Sequence, residues 1–299
     1  MTMSWRLAPG LQWTLDRPYV LGIVNVTPDS FANDRPLLDP RAAAAVVQQM
    51  VDEGAHAVDI GGESTRPGAV PVPPDEELRR VLPLVRTVRA LAGPAGRIPI
   101  TIDTTKAAVA RAALDAGATA INDVSAGEAD PGMLPLAGSA GCGIVLMHRL
   151  TTPQRDSYSD RYTTPPPMAD VVTTVSDALH ARMRAAREAG IARDAVLVDP
   201  GLGFGKSVEQ NLELLQRSPE LSRRLDRPVL SALSRKSFVG RAGLGRDSLP
   251  AERLEATLAL SVLHFAAGAR VFRVHDVQAH RRALDAAWAT LRPTAGSTG

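Results

Sequence analysis

Asp103, Asn122 and Asp199 each close a short apolar run of the chain. An ionised Asp only accepts hydrogen bonds, whereas Asn both donates and accepts, so this set suits a flat, nitrogen-rich heterocycle whose recognised edge is rich in N–H. Arg66, Lys236, Arg273 and His275, with Asn25, follow or end other runs and bring donors suited to a phosphate or carboxylate. One end of the ligand is therefore expected to be anionic. Taken singly, each residue has an ordinary alternative: Asp103 or Asp199 as a helix cap, Lys236 as a surface lysine, His275 as a packed histidine. Their recurrence at run after run is what points to one shared site.

The runs themselves are the elements that must position these groups. Eight β-branched, apolar stretches are each followed by an alanine-rich or charged stretch of helical periodicity, the pattern of repeated βα units. The strands are predicted at Val20 to Thr27, His56 to Gly62, Ile98 to Thr104, Ala118 to Ser125, Cys142 to His148, Ala195 to Gly201, Pro228 to Lys236 and Ala269 to Asp276. Several are entered through a helix-ending glycine, as in Glu53-Gly54-Ala55 and Ala189-Gly190-Ile191, where the backbone must turn left-handed. Runs such as Val196-Leu197-Val198 imply burial on both faces of a parallel sheet. A chain of 299 residues accommodates one (β/α)8 TIM barrel of roughly 250 residues, with residues 19–292 as the barrel. Residues 1–18, with Ala8-Pro9-Gly10 between two apolar runs, are predicted as an N-terminal hairpin across the barrel bottom, and 293–299 as a disordered tail. Barrels of this type place their active sites at the C-terminal strand ends, where the polar residues fall. The long polar connection from Arg149 to Pro167 reads as a mobile cover over that site.

Other function classes fit poorly. The 44% apolar and 22% charged composition is that of an ordinary globular domain, and no run is long and apolar enough for a membrane span. A formal charge of +2 spread along the chain gives no nucleic-acid footprint. The residues from Met1 to Trp5 lack the features of a secretory signal, so a cytoplasmic protein is expected. Cys142, the sole cysteine, lies in an apolar run and reads as structural. His56, His180 and His264 read as structural or surface residues. The segment Gly201 to Ser207 is not a Walker A loop, because the first glycine of that pattern would fall on Pro200; its alternating glycines suggest close backbone approach to a ligand, with Phe204 offering an aromatic face. No HExxH, CxxC or EF-hand pattern occurs, so any metal is expected to arrive with a phosphate ligand.

From about Tyr19 to Leu291 the chain resembles the dihydropteroate synthase family. The resemblance rests on Asn25-Val26-Thr27-Pro28-Asp29-Ser30-Phe31, on Gly61-Gly62-Glu63-Ser64-Thr65-Arg66-Pro67-Gly68, and on Asp199-Pro200-Gly201 with Phe204-Gly205-Lys206. Ser234-Arg235-Lys236-Ser237 and Arg273-Val274-His275-Asp276 complete the order. It implies condensation of hydroxymethyl-dihydropterin diphosphate with p-aminobenzoate to give dihydropteroate and diphosphate, in a sulfonamide-sensitive step of folate biosynthesis. It further implies pterin contacts from Asp103, Asn122, Asp199 and Lys236, and diphosphate contacts from Asn25, Thr65, Arg66, Arg273 and His275, with Val274 at the same substrate site. By the same resemblance Mg2+ lies near Asn25, and p-aminobenzoate lies between Phe31, Pro67 and Phe204 with its carboxylate at Ser237. Asp103, Asp199, Lys236, Arg273 and His275 are the expected catalytic residues, and a homodimer is the expected assembly. Leu150 departs from the family's usual small or polar residue after Arg149. Two alternatives are a methyltetrahydrofolate-dependent corrinoid methyltransferase and a catalytically silent pterin-binding paralogue. The first has no use for a diphosphate site, and intact motifs weigh against the second.

Overall fold

The computed structural model describes residues 3–27 and 39–292. Ser4–Ala8 (β1) and Leu11–Thr14 (β2) pair antiparallel as a hairpin. Eight parallel strands follow: Tyr19–Asn25 (β3), Ala57–Gly61 (β4), Ile100–Asp103 (β5), Ala120–Asp123 (β6), Gly143–Met147 (β7), Val196–Asp199 (β8), Leu230–Ser231 (β9) and Val271–Val274 (β10). Their order is β8-β7-β6-β5-β4-β3-β10-β9, and a parallel bridge between Val198 and Val229 closes the ring. The (β/α)8 barrel and its N-terminal hairpin are thus both present.

Helices wrap the strands: Pro40–Asp52 (α1), Pro74–Arg89 (α2), Gly93–Arg97 (α3), Ala107–Asp115 (α4), Met133–Ala140 (α5), Val171–Glu188 (α6), Val208–Gln216 (α7), Ser218–Leu225 (α8), Ser237–Leu244 (α9), Leu254–Ala266 (α10) and Val277–Leu291 (α11). Their starts follow local chemistry. Asp170 caps α6 by accepting from the Thr173 N–H at 2.6 Å, and Ser207 with Gln210 forms a capping box on α7. The helix-ending glycines do turn left-handed, with φ +95° at Gly54 and +84° at Gly190. No described helix is long and apolar enough to cross a membrane.

Strand alternation splits the core in two. Residues such as Val58, Ile60, Ile102, Ile144 and Val198 pack outward against the helices. Leu21, Ala57, Ala120, Val145, Leu197 and Val271 point inward and meet Trp5, Leu7, Trp13 and Leu15 of the hairpin. The hairpin therefore stoppers the barrel bottom, with the Trp5 indole N–H donating to the Ala195 carbonyl at 3.1 Å. Cys142 is buried, and burial pushes its thiol up to about 11, which fits a structural residue. His56 accepts the Val20 N–H at 3.0 Å, and His264 bridges Ser218 and Ser231, both far from the barrel mouth in role.

The seventh strand, predicted over Pro228 to Lys236, is cut to two residues. Arg235 adopts φ +59°, so the chain leaves extended geometry and turns before α9. The expected tail at 293–299 lies outside the described residues.

Truncating the stopper should be costly. Trp5→Ala is expected to lose about 3 to 5 kcal/mol of stability, the usual penalty for deleting a buried Trp side chain, as measured by urea denaturation. A loss under about 1 kcal/mol would show that the bottom of the barrel does not need it.

Candidate active site

The C-terminal strand ends enclose a cavity of about 360 Å³. Its floor is acidic. Asp103 ends β5, Asp199 ends β8 and Asn122 lies in β6, and all three are buried. Behind them Asp59 in β4 is fully buried; it accepts from the Thr101 hydroxyl, from Asn122 Nδ2 at 3.2 Å, and from Arg273 Nε. Arg273 Nη2 donates to Asp103 Oδ2 at 2.7 Å. One guanidinium from β10 therefore spans the barrel interior to two carboxylates on β4 and β5.

Burial pushes the Asp103 carboxyl up from its ordinary value, with Arg273 pulling it back only in part and Asp59 adding repulsion. Burial also raises Asp199, although Lys236 and a bond from the Gly201 N–H at 2.7 Å act the other way. Burial lowers Arg273, but Asp59 and Asp103 outweigh it and hold the group above its usual range. Desolvation thus works against the charged form of both floor carboxyls, and the nearby cations offset it only in part. An N–H-rich or positive ligand face would supply the remainder.

The wall and rim bring other groups. Lys236 Nζ donates to the Leu202 carbonyl and sits 4.4 Å from the Phe204 ring centre, and burial lowers its ammonium to about 8. Asn25, Thr65, Arg66 and His275 line the upper cavity, with Pro67 beside them. His275 is oriented by Ser234, whose hydroxyl lies 3.1 Å from Nδ1 and accepts the His275 backbone N–H at 3.2 Å. Ser237 opens α9 and faces the cavity, so an anion there would meet unpaired backbone N–H groups.

Every site residue named from the sequence lines this cavity except two. Val274 does not: strand alternation turns its side chain outward into the strand–helix core, while Arg273 and His275 face in. Phe31 lies outside the described residues. Three further residues lie in the mouth motifs without a role of their own assigned from the sequence. Asp59 organises the floor; its signal was an acid inside the apolar run Ala57-Val58-Asp59-Ile60, where an ionised group must be paired. Arg235 pairs with Asp276, Nε donating at 2.9 Å to Oδ2, so it latches the seventh loop to the end of β10. Lys206 is fully buried, and its Nζ meets His148 Nδ1 at 3.0 Å, the Gly201 carbonyl at 2.9 Å and the Phe204 carbonyl at 3.0 Å. Burial lowers it to about 7.

The left-handed glycines of this loop serve protein contacts. A Cβ on Gly201 would strike the His148 carbonyl, and one on Gly203 would lie 2.8 Å from Lys236 Cδ. The connection from Arg149 to Pro167, expected as a mobile cover, lines the cavity through Tyr158, Asp160 and Arg161 and is tied down by several bonds. Pro153 accepts the Gly68 N–H at 2.8 Å, Asn211 donates to Ser159 at 3.0 Å, and Arg161 pairs with Asp247 at 2.8 Å.

Burial, and next Lys206, hold His148 down at about 2, against about 6.5 in an unfolded chain. The folded state thus resists a proton that the unfolded state accepts. This contribution is present above pH about 6.5 and is lost as pH falls below it. His148→Asn, which keeps an acceptor toward Lys206, should flatten the stability curve between pH 6.5 and 5 by up to about 1.4 kcal/mol per pH unit. An unchanged slope in urea titrations would mean that His148 is protonated in the fold.

Residues 21–275 match the family described as pterin binding enzyme. The chain is 43% identical over 276 residues to dihydropteroate synthase of Mycobacterium leprae, covering 91% of this chain and 93% of the relative. It superimposes on Xanthomonas albilineans dihydropteroate synthase with 4-aminobenzoic acid at TM-score 0.84 and 42% identity, covering 97% of this chain and 100% of the other. Against the Yersinia pestis dihydropteroate synthase with a sulfonamide drug complex the TM-score is 0.85 at 36% identity, covering 97% and 99%.

Proposed function

The chain belongs to the pterin binding enzymes as a dihydropteroate synthase, and from that premise we propose how its residues divide the reaction. The enzyme is a transferase that joins hydroxymethyl-dihydropterin diphosphate to p-aminobenzoate, releasing diphosphate and forming dihydropteroate for folate biosynthesis. The observation that carries the division is the placing of the buried Asp103, Asn122 and Asp199 in one cavity with Asn25, Thr65, Arg66 and His275.

In this reading the pterin edge lies against Asp103, Asn122 and Asp199, with Lys236 donating from the side. Their carboxyl oxygens accept the ring N–H groups, and Asn122 both donates and accepts. The diphosphate lies toward Asn25, Thr65, Arg66, Arg273 and His275. The carbon–oxygen bond to diphosphate breaks first, the electron pair leaving with the diphosphate, so that positive charge spreads over the pterin. Asp103 and Asp199 stabilise that charge from a dry, preorganised position, which is where electrostatic catalysis is strongest. The p-aminobenzoate nitrogen then bonds to the exposed carbon and loses a proton. Phe204 and Pro67 form the walls for its ring, joined in this reading by Phe31, and Ser237 with the start of α9 takes its carboxylate.

Among the described residues no group of three or more His, Cys, Asp or Glu stands together as a metal cage. The Asn25 amide oxygen, completed by diphosphate oxygens and water, is a donor set that suits magnesium, a hard ion that keeps waters and favours phosphate. When bound there it would neutralise charge on the departing diphosphate. A homodimer is carried over from the resemblance, and sulfonamides, sharing the flat aniline and its negative end, would compete at the p-aminobenzoate walls.

Asp199→Asn keeps the side-chain volume but removes the charge, so pterin binding should weaken by about 1.5 to 3 kcal/mol, roughly tenfold to more than a hundredfold. Calorimetry on the folded variant reads this directly. Unchanged affinity would take Asp199 out of the pterin site.

A further inference from the structure

Phe204 and Gly205 share one peptide unit, and both of its polar atoms are held by charged side chains from outside the cavity floor. The carbonyl, which belongs to Phe204, accepts from Lys206 Nζ at 3.0 Å. The N–H, which belongs to Gly205, donates to Asp156 Oδ2 at 3.0 Å. A Lys206 N–H donor on the carbonyl and the Asp156 carboxylate on the N–H leave the plane little freedom to rotate. Asp156 is itself fixed, because its other oxygen accepts from the Tyr162 hydroxyl and from the Ser157 N–H, each at 2.8 Å. Burial, and next Asp156, push Tyr162 up to about 12, so it stays a donor at any working pH. Clearance is also absent: Gly205 sits at φ +64°, and a Cβ there would collide with Leu150.

We infer that Asp156 and Lys206 clamp the Phe204–Gly205 peptide, which makes Asp156 a positioning residue for the aromatic amine. Rotation of that plane would swing the Phe204 ring and disturb Lys236, whose ammonium lies 4.4 Å from the ring centre. Asp156 belongs to the connection that also holds Gly68, next to Pro67, so one segment sets both described walls. The inference rests on Phe204 being a wall for p-aminobenzoate.

Steady-state kinetics of the full-length enzyme with Mg2+, varying each substrate in turn, separate the two ideas. Asp156→Ala should raise the KM for p-aminobenzoate about tenfold, the scale of one lost hydrogen bond to a charged acceptor, with kcat and the KM for the pterin diphosphate little changed. Asp156→Asn, whose amide oxygen can still accept the Gly205 N–H, should recover most of the loss. Phe204→Ala is the control on the subsite and should raise the same KM. If Phe204→Ala raises it and Asp156→Ala does not, the clamp is wrong; if Phe204→Ala has no effect, the subsite assignment is wrong and the clamp loses its purpose. Equal rises in both KM values, or no recovery in Asp156→Asn, would reduce Asp156 to general support and overturn the inference. Should Asp156→Ala not fold, Tyr162→Phe frees the carboxylate and should raise the p-aminobenzoate KM roughly threefold; no rise would count against the clamp.

Discussion

The mouth of this barrel is organised by one guanidinium shared between two carboxylates. Arg273 reaches from β10 past β3 to Asp59 and Asp103, and Asp59 in turn holds Thr101 and Asn122. Four strands are thereby fixed in relation to one another at the level where the substrate must fit. Such an arrangement does not arise for stability, since desolvating buried charges costs about as much as their pairing returns. Its consequence is electrostatic. Asp59 and Asp103 share a single guanidinium, so Asp103 keeps acceptor capacity for an N–H-rich ring and for positive charge that develops on it.

Stability comes instead from the two apolar layers on either side of the strands. The hairpin closes the bottom with Trp5, Leu7 and Trp13, and the helices cover the outside. The top is then free to be polar, and it is braced loop to loop. Arg235 joins the seventh loop to Asp276, Lys206 ties the sixth loop to His148, and the 149–167 connection holds the second and sixth loops together. Leu150 packs where Gly205 has no side chain, so the glycine makes room for it.

Most of the architecture was legible because its causes are local. Apolar β-branched runs and helix-ending glycines such as Gly54 and Gly190 record the βα rhythm directly. Site residues at strand ends were legible for the same reason, since a strand end in this fold is a position in the mouth. What could not be read depends on partners far apart in sequence. Asp59 and Arg273 are 214 residues apart, and nothing local to either names the other. Lys206 followed a glycine-rich stretch that suggested a ligand, whereas its three partners are all protein groups. Val274 was carried along with its motif neighbours although strand alternation sends it the other way. The predicted seventh strand ran past the left-handed turn at Arg235, a non-glycine position that no turn rule flags.

That the Asp59–Arg273–Asp103 arrangement shapes the proposed pterin pocket is tested most cleanly at Asp59, which lies behind the cavity wall rather than in its lining. Asp59→Asn preserves volume and leaves Arg273 a partner in Asp103. Calorimetric titration of the folded variant with the pterin diphosphate should then show affinity reduced about tenfold or more, as Arg273 and Asn122 lose their shared anchor. Wild-type affinity in that variant would contradict the account and leave the floor residues acting independently.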